Sequence, residues 1–290
     1  MKKEREGEWL VVGLSFFESW FPILSIVSIS HIGALYTYTY ASVVALAFFL
    51  LVMYKRGLYS ELKNPLAYKD LLLTSFWITL LFALVFVGMG YTTAGNMSVI
   101  LFMQLLFSYL YFNLLGKEKM NMIHSMGALL MGSGALVILV PNDLRFNKGD
   151  ILILVAAAIA PIANLYAKRA RNFCSSETIV GFRTLAALPF IAGMAWWLEP
   201  AVTPSSFYKA LPYVILVGLF VFGISKIMWM EALYRISITK MSAMTALVPV
   251  MTLCFAYLYL GEVPKFRQIV GILPVLIGGY LLTRPLKQEG

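Results

Sequence analysis

The chain alternates long apolar runs with short polar or basic interruptions. Ten runs reach or approach the roughly 17–25 residues that a helix needs to cross a bilayer. They fall at about 9–30, 33–54, 70–90, 94–115, 121–141, 150–168, 177–198, 209–232, 237–260 and 266–283. Several connections are very short, as at Ser30-His31-Ile32-Gly33 and Thr92-Thr93, and leave no room for a soluble domain. The pattern predicts an all-α polytopic membrane protein with ten transmembrane helices. Pro22, Pro161, Pro189, Pro249 and Pro274 fall inside spans and predict broken or bending elements.

A second regularity runs through the pattern. Gly88 to Ile138 repeats in Met230 to Leu282 at an offset of about 144 residues. Met97, Ser98, Glu118, Gly127, Leu129 and Gly134 meet Met241, Ser242, Glu262, Gly271, Leu273 and Gly278. Two apolar helices looking alike would explain the leucines but not the shared glycines and glutamates. Repeats of this kind decide architecture before anything else does. The expected halves are residues 1–141 and 142–290, each with five spans. Five is odd, so the second copy must lie upside down relative to the first. Inverted repeats are a signature of secondary transporters, whose cargo site lies between the halves near mid-membrane. The glycine pairs at i, i+7 are expected to let helices approach closely.

Composition agrees with the pattern. Sixty per cent of the 290 residues are hydrophobic and thirteen per cent charged, more apolar surface than a soluble core of this length could hide. The net charge of +9 raises the question of nucleic acid. The basic residues lie between apolar runs, however, so topology explains them better and no nucleic-acid partner is expected. With the N-terminus cytoplasmic, sixteen Lys and Arg fall on that side, in clusters such as Lys2-Lys3, Lys55-Arg56, Lys117/Lys119 and Lys168-Arg169/Arg171. Five fall opposite: Arg145, Lys148, Lys209, Lys265 and Arg267. Both termini are therefore expected in the cytoplasm. Met1 to Glu8 leads straight into an apolar run without a small-residue cleavage site, which reads as a first span. Cys174 and Cys254 lack metal spacing, and neither a cofactor nor a metal is expected.

The motif order carries a resemblance. Ala232-Leu233-Tyr234, Ser242-Ala243, Leu247-Val248-Pro249-Val250, Leu260-Gly261-Glu262, Gly271 and Gly278 resemble the second half of an EamA-type carrier of the drug/metabolite transporter superfamily. The first half departs from that pattern: Leu105 stands where the proline would be, and Gly116-Lys117-Glu118 replaces Leu-Gly-Glu. Arg183-Thr184-Leu185-Ala186-Ala187-Leu188 is similar to the Arg-led run of the family's seventh helix. The resemblance implies carrier-mediated transport of small metabolites in a bacterial inner membrane, with cargoes that include amino acids, nucleotide-sugars, amines and xenobiotics. A small-molecule substrate and the lipid bilayer are the expected partners, and a homodimer is an open expectation.

Charged side chains inside spans cost at least a few kcal/mol and face a wet cavity or a partner. Glu18 lies midway along the first span, four residues before Pro22. Lys226 lies in the eighth, among small residues. The two read equally well as a cargo or proton site and as structural partners of each other. Arg183 reads first as a structural or gating residue, and Glu231 as an i, i+4 partner of Arg235. Tyr38, Gln104, Asn164 and Trp229 complete the expected lining, with Asn96 a further polar candidate. Tyr36, Tyr38 and Tyr40 alternate, so at most two can meet one cavity. An intramembrane hydrolase fits poorly, because Ser133 and His124 share one helix, about 13 Å of rise apart. Nothing forms the ring of like groups that a channel needs. Mixed charge in the cavity favours zwitterions such as amino acids, ahead of anionic or phosphorylated metabolites and of quaternary amines.

Overall fold

The computed structural model describes residues 2–115, 122–139, 147–235 and 244–282. All regular structure in them is helical. The motif positions Gly116-Lys117-Glu118, Met241, Ser242 and Ala243 lie outside the described residues. In chain order the helices are α1 (Lys2–Ile32), α2 (Ala34–Arg56), α3 (Tyr68–Met89), α4 (Ala94–Phe102), α5 (Gln104–Leu115) and α6 (Met122–Leu139). Beyond them lie α7 (Lys148–Ala170), α8 (Ser176–Leu198), α9 (Pro204–Leu216), α10 (Ser225–Arg235), α11 (Leu247–Leu260) and α12 (Phe266–Leu282). A π-helical segment, Val217–Ile224, joins α9 to α10.

Among the described residues, seven helical stretches are long and apolar enough to cross a membrane: Arg5–Ile32, Ala34–Arg56, Pro65–Met89, Ala94–Tyr111, Lys148–Ala170, Ser176–Leu198 and Pro204–Ala232. Helices α11 and α12 are apolar but shorter. The helices continue through Pro22, Pro161, Pro189 and Pro274, where the sequence predicted breaks or bends. One proline forfeits a single main-chain bond, and the flanking turns carry the helix past it. Pro249 lies in the first turn of α11, where a main-chain N–H has no intrahelical acceptor in any case. The helical interruptions come instead at Met103, between α4 and α5, and in the π-helical segment.

The contacts at helix ends define two faces. At the first face, Arg235 approaches Glu6 at 3.8 Å, Arg56 pairs with Glu177, and the Ser175 amide and hydroxyl each donate to Glu61 at 2.7 Å. At the opposite face, the Leu35 and Tyr36 amides donate to Glu199 at 2.9 and 3.0 Å, and Asn147 donates to the Tyr91 carbonyl at 2.6 Å. Glu61 comes after α2 and caps the start of α8. Glu199 comes after α8 and caps the start of α2. The two helices therefore lie antiparallel, each receiving a carboxylate where its unpaired amides and dipole favour negative charge.

Packing explains the glycines. Helix α6 lies along α12, α3 along α7, α2 against α8, and α1 against α10 and α11. A Cβ on Gly134 would stand 2.5 Å from the Gly271 carbonyl oxygen, and one on Gly278 would stand 2.5 Å from that of Gly127. The two i, i+7 pairs thus meet each other, crossing α6 and α12 antiparallel at main-chain contact.

These contacts make two predictions. Gly278→Leu meets main-chain atoms of Gly127 and Met131 that cannot yield, so it should lose about 2 kcal/mol or more in thermal unfolding. Gly132→Ala, with nothing within 4 Å, should be neutral or slightly stabilising; equal losses in both would remove the close-contact explanation. Burial alone would raise the Glu61 carboxyl, but hydrogen bonds from Thr178 and Ser175, with Arg171 nearby, outweigh it and hold the group below its ordinary value. Its stabilisation is then complete above the unfolded value of about 4.3 and is lost as pH falls through the lowered folded value. Glu61→Gln should cost about 1 kcal/mol at neutral pH, the size of a lost helix cap, and flatten the acid limb of unfolding measured between pH 3 and 6, about a unit and a half either side of that value.

Candidate functional site

A cavity of about 170 Å³ lies among α1, α3, α4, α5, α7, α8, α10 and α11. Its lining extends to Ala167 and Ile179, each within a turn of the helix ends at the first face. Toward the opposite face it ends at Pro22, Phe82 and Ala160, well inside their helices, and at Met97, within a turn of the start of α4.

Among the described residues, three ionisable side chains line it: Glu18, Arg183 and Lys226. Helix α1 carries Glu18 one turn before Pro22. The π-helical segment delivers Lys226 at the start of α10. That segment is rich in small and apolar residues, and Gly218 lets it lie against α2, where a Cβ would stand 2.6 Å from the Ala41 carbonyl oxygen. A π turn shifts the register of the residues after it relative to an α-helix. Here it directs consecutive residues, Ser225 and Lys226, onto one carboxylate oxygen. Lys226 Nζ donates to Glu18 Oε1 at 2.6 Å, and the Ser225 hydroxyl donates to the same oxygen. Lys226 also stands 5.9 Å from the centre of the Phe82 ring, within cation–π reach. Both charged side chains keep about a fifth of their surface open, 19% for Glu18 and 18% for Lys226.

The structure brings Glu18, Lys226, Arg183, Gln104, Asn164 and Trp229 to this cavity. Tyr38 lies apart from it. It lines a second, small cavity of about 20 Å³ with Ser42, Thr79 and Thr184, and Arg183 borders both spaces. Phe82 and Phe222 also line the small cavity, their ring centroids 4.9 Å apart. Tyr36 and Tyr40 stack on each other, 6.0 Å between centroids, as alternation required. Trp20 stacks on Phe255, with centroids 4.9 Å apart. Glu231 pairs with Arg235 at 2.5 Å, as their spacing indicated.

Two layers close the cavity toward the opposite face. The first is aromatic: Tyr38 stacks on Phe86 with centroids 5.1 Å apart, and Phe21 meets Phe86 at 5.6 Å and Phe222 at 5.9 Å. The second is polar. Gln268 donates to Asn96 at 2.6 Å, Asn96 donates to Asp150 at 3.2 Å, and the Thr92 hydroxyl donates to the other Asp150 oxygen. Asp150 is 4% exposed and sits in the first turn of α7. Sequence reading placed Asn96 on the lining and missed the network, because a lone aspartate at a helix start resembles any helix-capping residue.

The model of the EamA-like transporter family matches residues 5–140 and again 147–284. The chain belongs to the EamA-like transporter family. Among this transporter's relatives, an uncharacterized transporter of Archaeoglobus fulgidus is 27% identical over 260 residues, 86% of each chain. An uncharacterized transporter of Bacillus subtilis is 24% identical over 68% of each. A probable terminal-alkyne amino-acid exporter of Streptantibioticus cattleyicolor is 25% identical over 68% of this chain and 66% of its own. A crystal structure of a protein 16% identical shares the fold, with a TM-score of 0.72 over 95% of each chain. The protein is thus a multi-pass membrane protein of a transporter family.

The ion pair makes its own prediction. Breaking a buried pair by removing one partner costs roughly 3–5 kcal/mol, and partial exposure should reduce that to about 2 for Lys226→Met. Glu18→Gln combined with Lys226→Met should be more stable than Lys226→Met alone. Thermal unfolding of the single and double variants reads the coupling, and strictly additive losses would mean that the two charges do not support each other.

Proposed function

We propose that this EamA-like transporter is a secondary-active carrier of small polar metabolites, working by alternating access, with amino acids or amino-acid-like zwitterions as its leading cargo. The observation that carries the reading is the cavity itself. It holds both signs of charge inside the membrane, extends toward one face, and is covered toward the other by the aromatic layer and the Asp150 network. Such an arrangement fits one end of a carrier's cycle.

Two inverted five-helix repeats and ten spans belong to this reading. The family model matches the chain twice. The contacts also pair off when each helix of the first half is exchanged for its counterpart: α3 on α7 for α10 on α1, and α1 on α11 for α7 on α4 and α5. The self-paired contacts, α2 with α8 and α6 with α12, are antiparallel, as an inverted relation requires. Lys55, Arg56, Lys168, Arg169, Arg171 and Arg235 all lie toward the first face, which supports a cytoplasmic assignment for it and for both termini in an inner membrane. The name of the Streptantibioticus relative, an amino-acid exporter, supports the cargo class. An anionic cargo is the second reading, favoured by the excess of cations over carboxylates in the lining.

Cysteine labelling and uptake test the two parts. In a background lacking Cys174 and Cys254, Lys168→Cys should react with an impermeant reagent only from the cytoplasmic side and Lys148→Cys only from the other. Proteoliposomes holding the protein should accumulate or exchange a labelled amino acid from a panel. Reaction of both positions from one side would end the topology, and absence of flux for every compound that binds would end the carrier assignment.

A further inference from the structure

Arg183 is the cavity's unbalanced charge. Glu18 Oε1 already accepts both Lys226 and Ser225. Among the described residues Arg183 has no ion-pair partner and no hydrogen bond, and Glu18, the carboxylate that shares its lining, is already paired with Lys226. Its surroundings are the lining of the main cavity on one side and the hydroxyl-lined small cavity on the other. The small cavity has room for about one water, which can hydrate the guanidinium but cannot neutralise it. Among the described residues, one carboxylate and two cations leave the lining one positive charge in excess. An uncompensated cation at this depth is costly, and no described residue supplies the missing partner.

We infer that Arg183 is the anion-binding group of the cargo site and that its ligand is the carboxylate of a monoanionic or zwitterionic organic acid with an apolar body. This deepens the carrier reading and rests on it for the word cargo. The planar guanidinium offers a fork of donors that matches a carboxylate. A single carboxylate balances a single excess charge. A phosphate monoester, at about −1.5 to −2, would overshoot it. An amine without an acid group would bring a third positive charge beside Lys226. An amino acid is net neutral and does not remove the excess charge, but its carboxylate meets Arg183 directly and its ammonium can turn to Glu18 Oε2, which accepts no hydrogen bond among the described residues, so the amine is tolerated but not required. Leu14, Phe21, Phe102 and Trp229 supply the surface for the apolar body.

Matched ligand sets test this on the purified full-length protein. Phenylalanine, 3-phenylpropionate, phenethylamine and phenyl phosphate share one frame, and leucine, 4-methylvalerate and isoamylamine share another. Binding is read by thermal shift and by titration calorimetry. The acids and amino acids of at least one set should bind, and the matching amine and the phosphate should bind far more weakly. Arg183→Gln should weaken acid binding by roughly ten- to hundredfold, the size of a lost hydrogen-bond pair to a charged group, and Arg183→Lys should recover part of it. The wild-type comparison stands even if a variant fails to fold. Amines binding as tightly as their acids, acid binding unchanged in Arg183→Gln, or no carboxylate binding at millimolar concentration would each overturn the assignment. Flux in proteoliposomes separates this from the carrier reading. Bound acid that is never moved leaves the anion site and removes the carrier, whereas transported amine without acid binding does the reverse.

Discussion

A charge inside a bilayer must find a partner, and this chain is arranged around that constraint. The Glu18–Lys226 pair joins α1 to α10, two elements far apart in sequence. Its geometry depends on local backbone. Pro22 leaves the Glu18 carbonyl without a main-chain donor, and the π-helical segment sets the angle at which Ser225 and Lys226 arrive. Among the described residues the pair also leaves Arg183 without an equal and opposite charge. Structural support and recognition chemistry therefore come from the same three side chains.

Around that centre, contact chemistry is repeated at matching places. Gly127 and Gly134 meet Gly278 and Gly271. Glu61 caps α8 at one face, and Glu199 caps α2 at the other. In hydrocarbon, helices gain little from hiding apolar surface from each other, so association relies on close main-chain approach and on polar contacts. The glycine crossing and the reciprocal carboxylate caps are the two devices that this chain uses twice. On the proposed carrier reading, repeated contacts of this kind give two halves equivalent neighbours, the condition under which two conformations of similar energy can exchange.

Much of this was legible in the sequence, and the rest failed for definable reasons. Apolar run length located the seven stretches that are long and apolar enough to cross a membrane among the described residues, and charge within such runs singled out Glu18, Lys226 and Arg183, because a rare residue type in an apolar run is conspicuous by itself. Equal spacing of Gly127–Gly134 and Gly271–Gly278 pointed to helix contact. What sequence periodicity does not contain is which face of one helix meets which face of another. Tyr38 was grouped with the main lining, yet it lies with Ser42 and Thr79 in the smaller cavity beside Phe82 and Phe222. Asp150, Glu61 and Glu199 resembled ordinary polar helix ends, and their roles depend on partners 54 to 164 residues away. The π-helical segment has no residue signature beyond small and apolar side chains, which any packed span shares.

The central claim is that one cavity is offered to the two faces in turn. Paired spin labels read this directly: Arg5 with Lys69, which are exposed at the first face, and Ser30 with Tyr91, which are exposed at the opposite face. Pulsed dipolar spectroscopy on the reconstituted protein, with and without a transported compound, gives both distances under the same conditions. The account predicts reciprocal changes, with the first pair closing as the second opens. Distances that stay fixed, or that shrink together, while the compound is being carried across would contradict it.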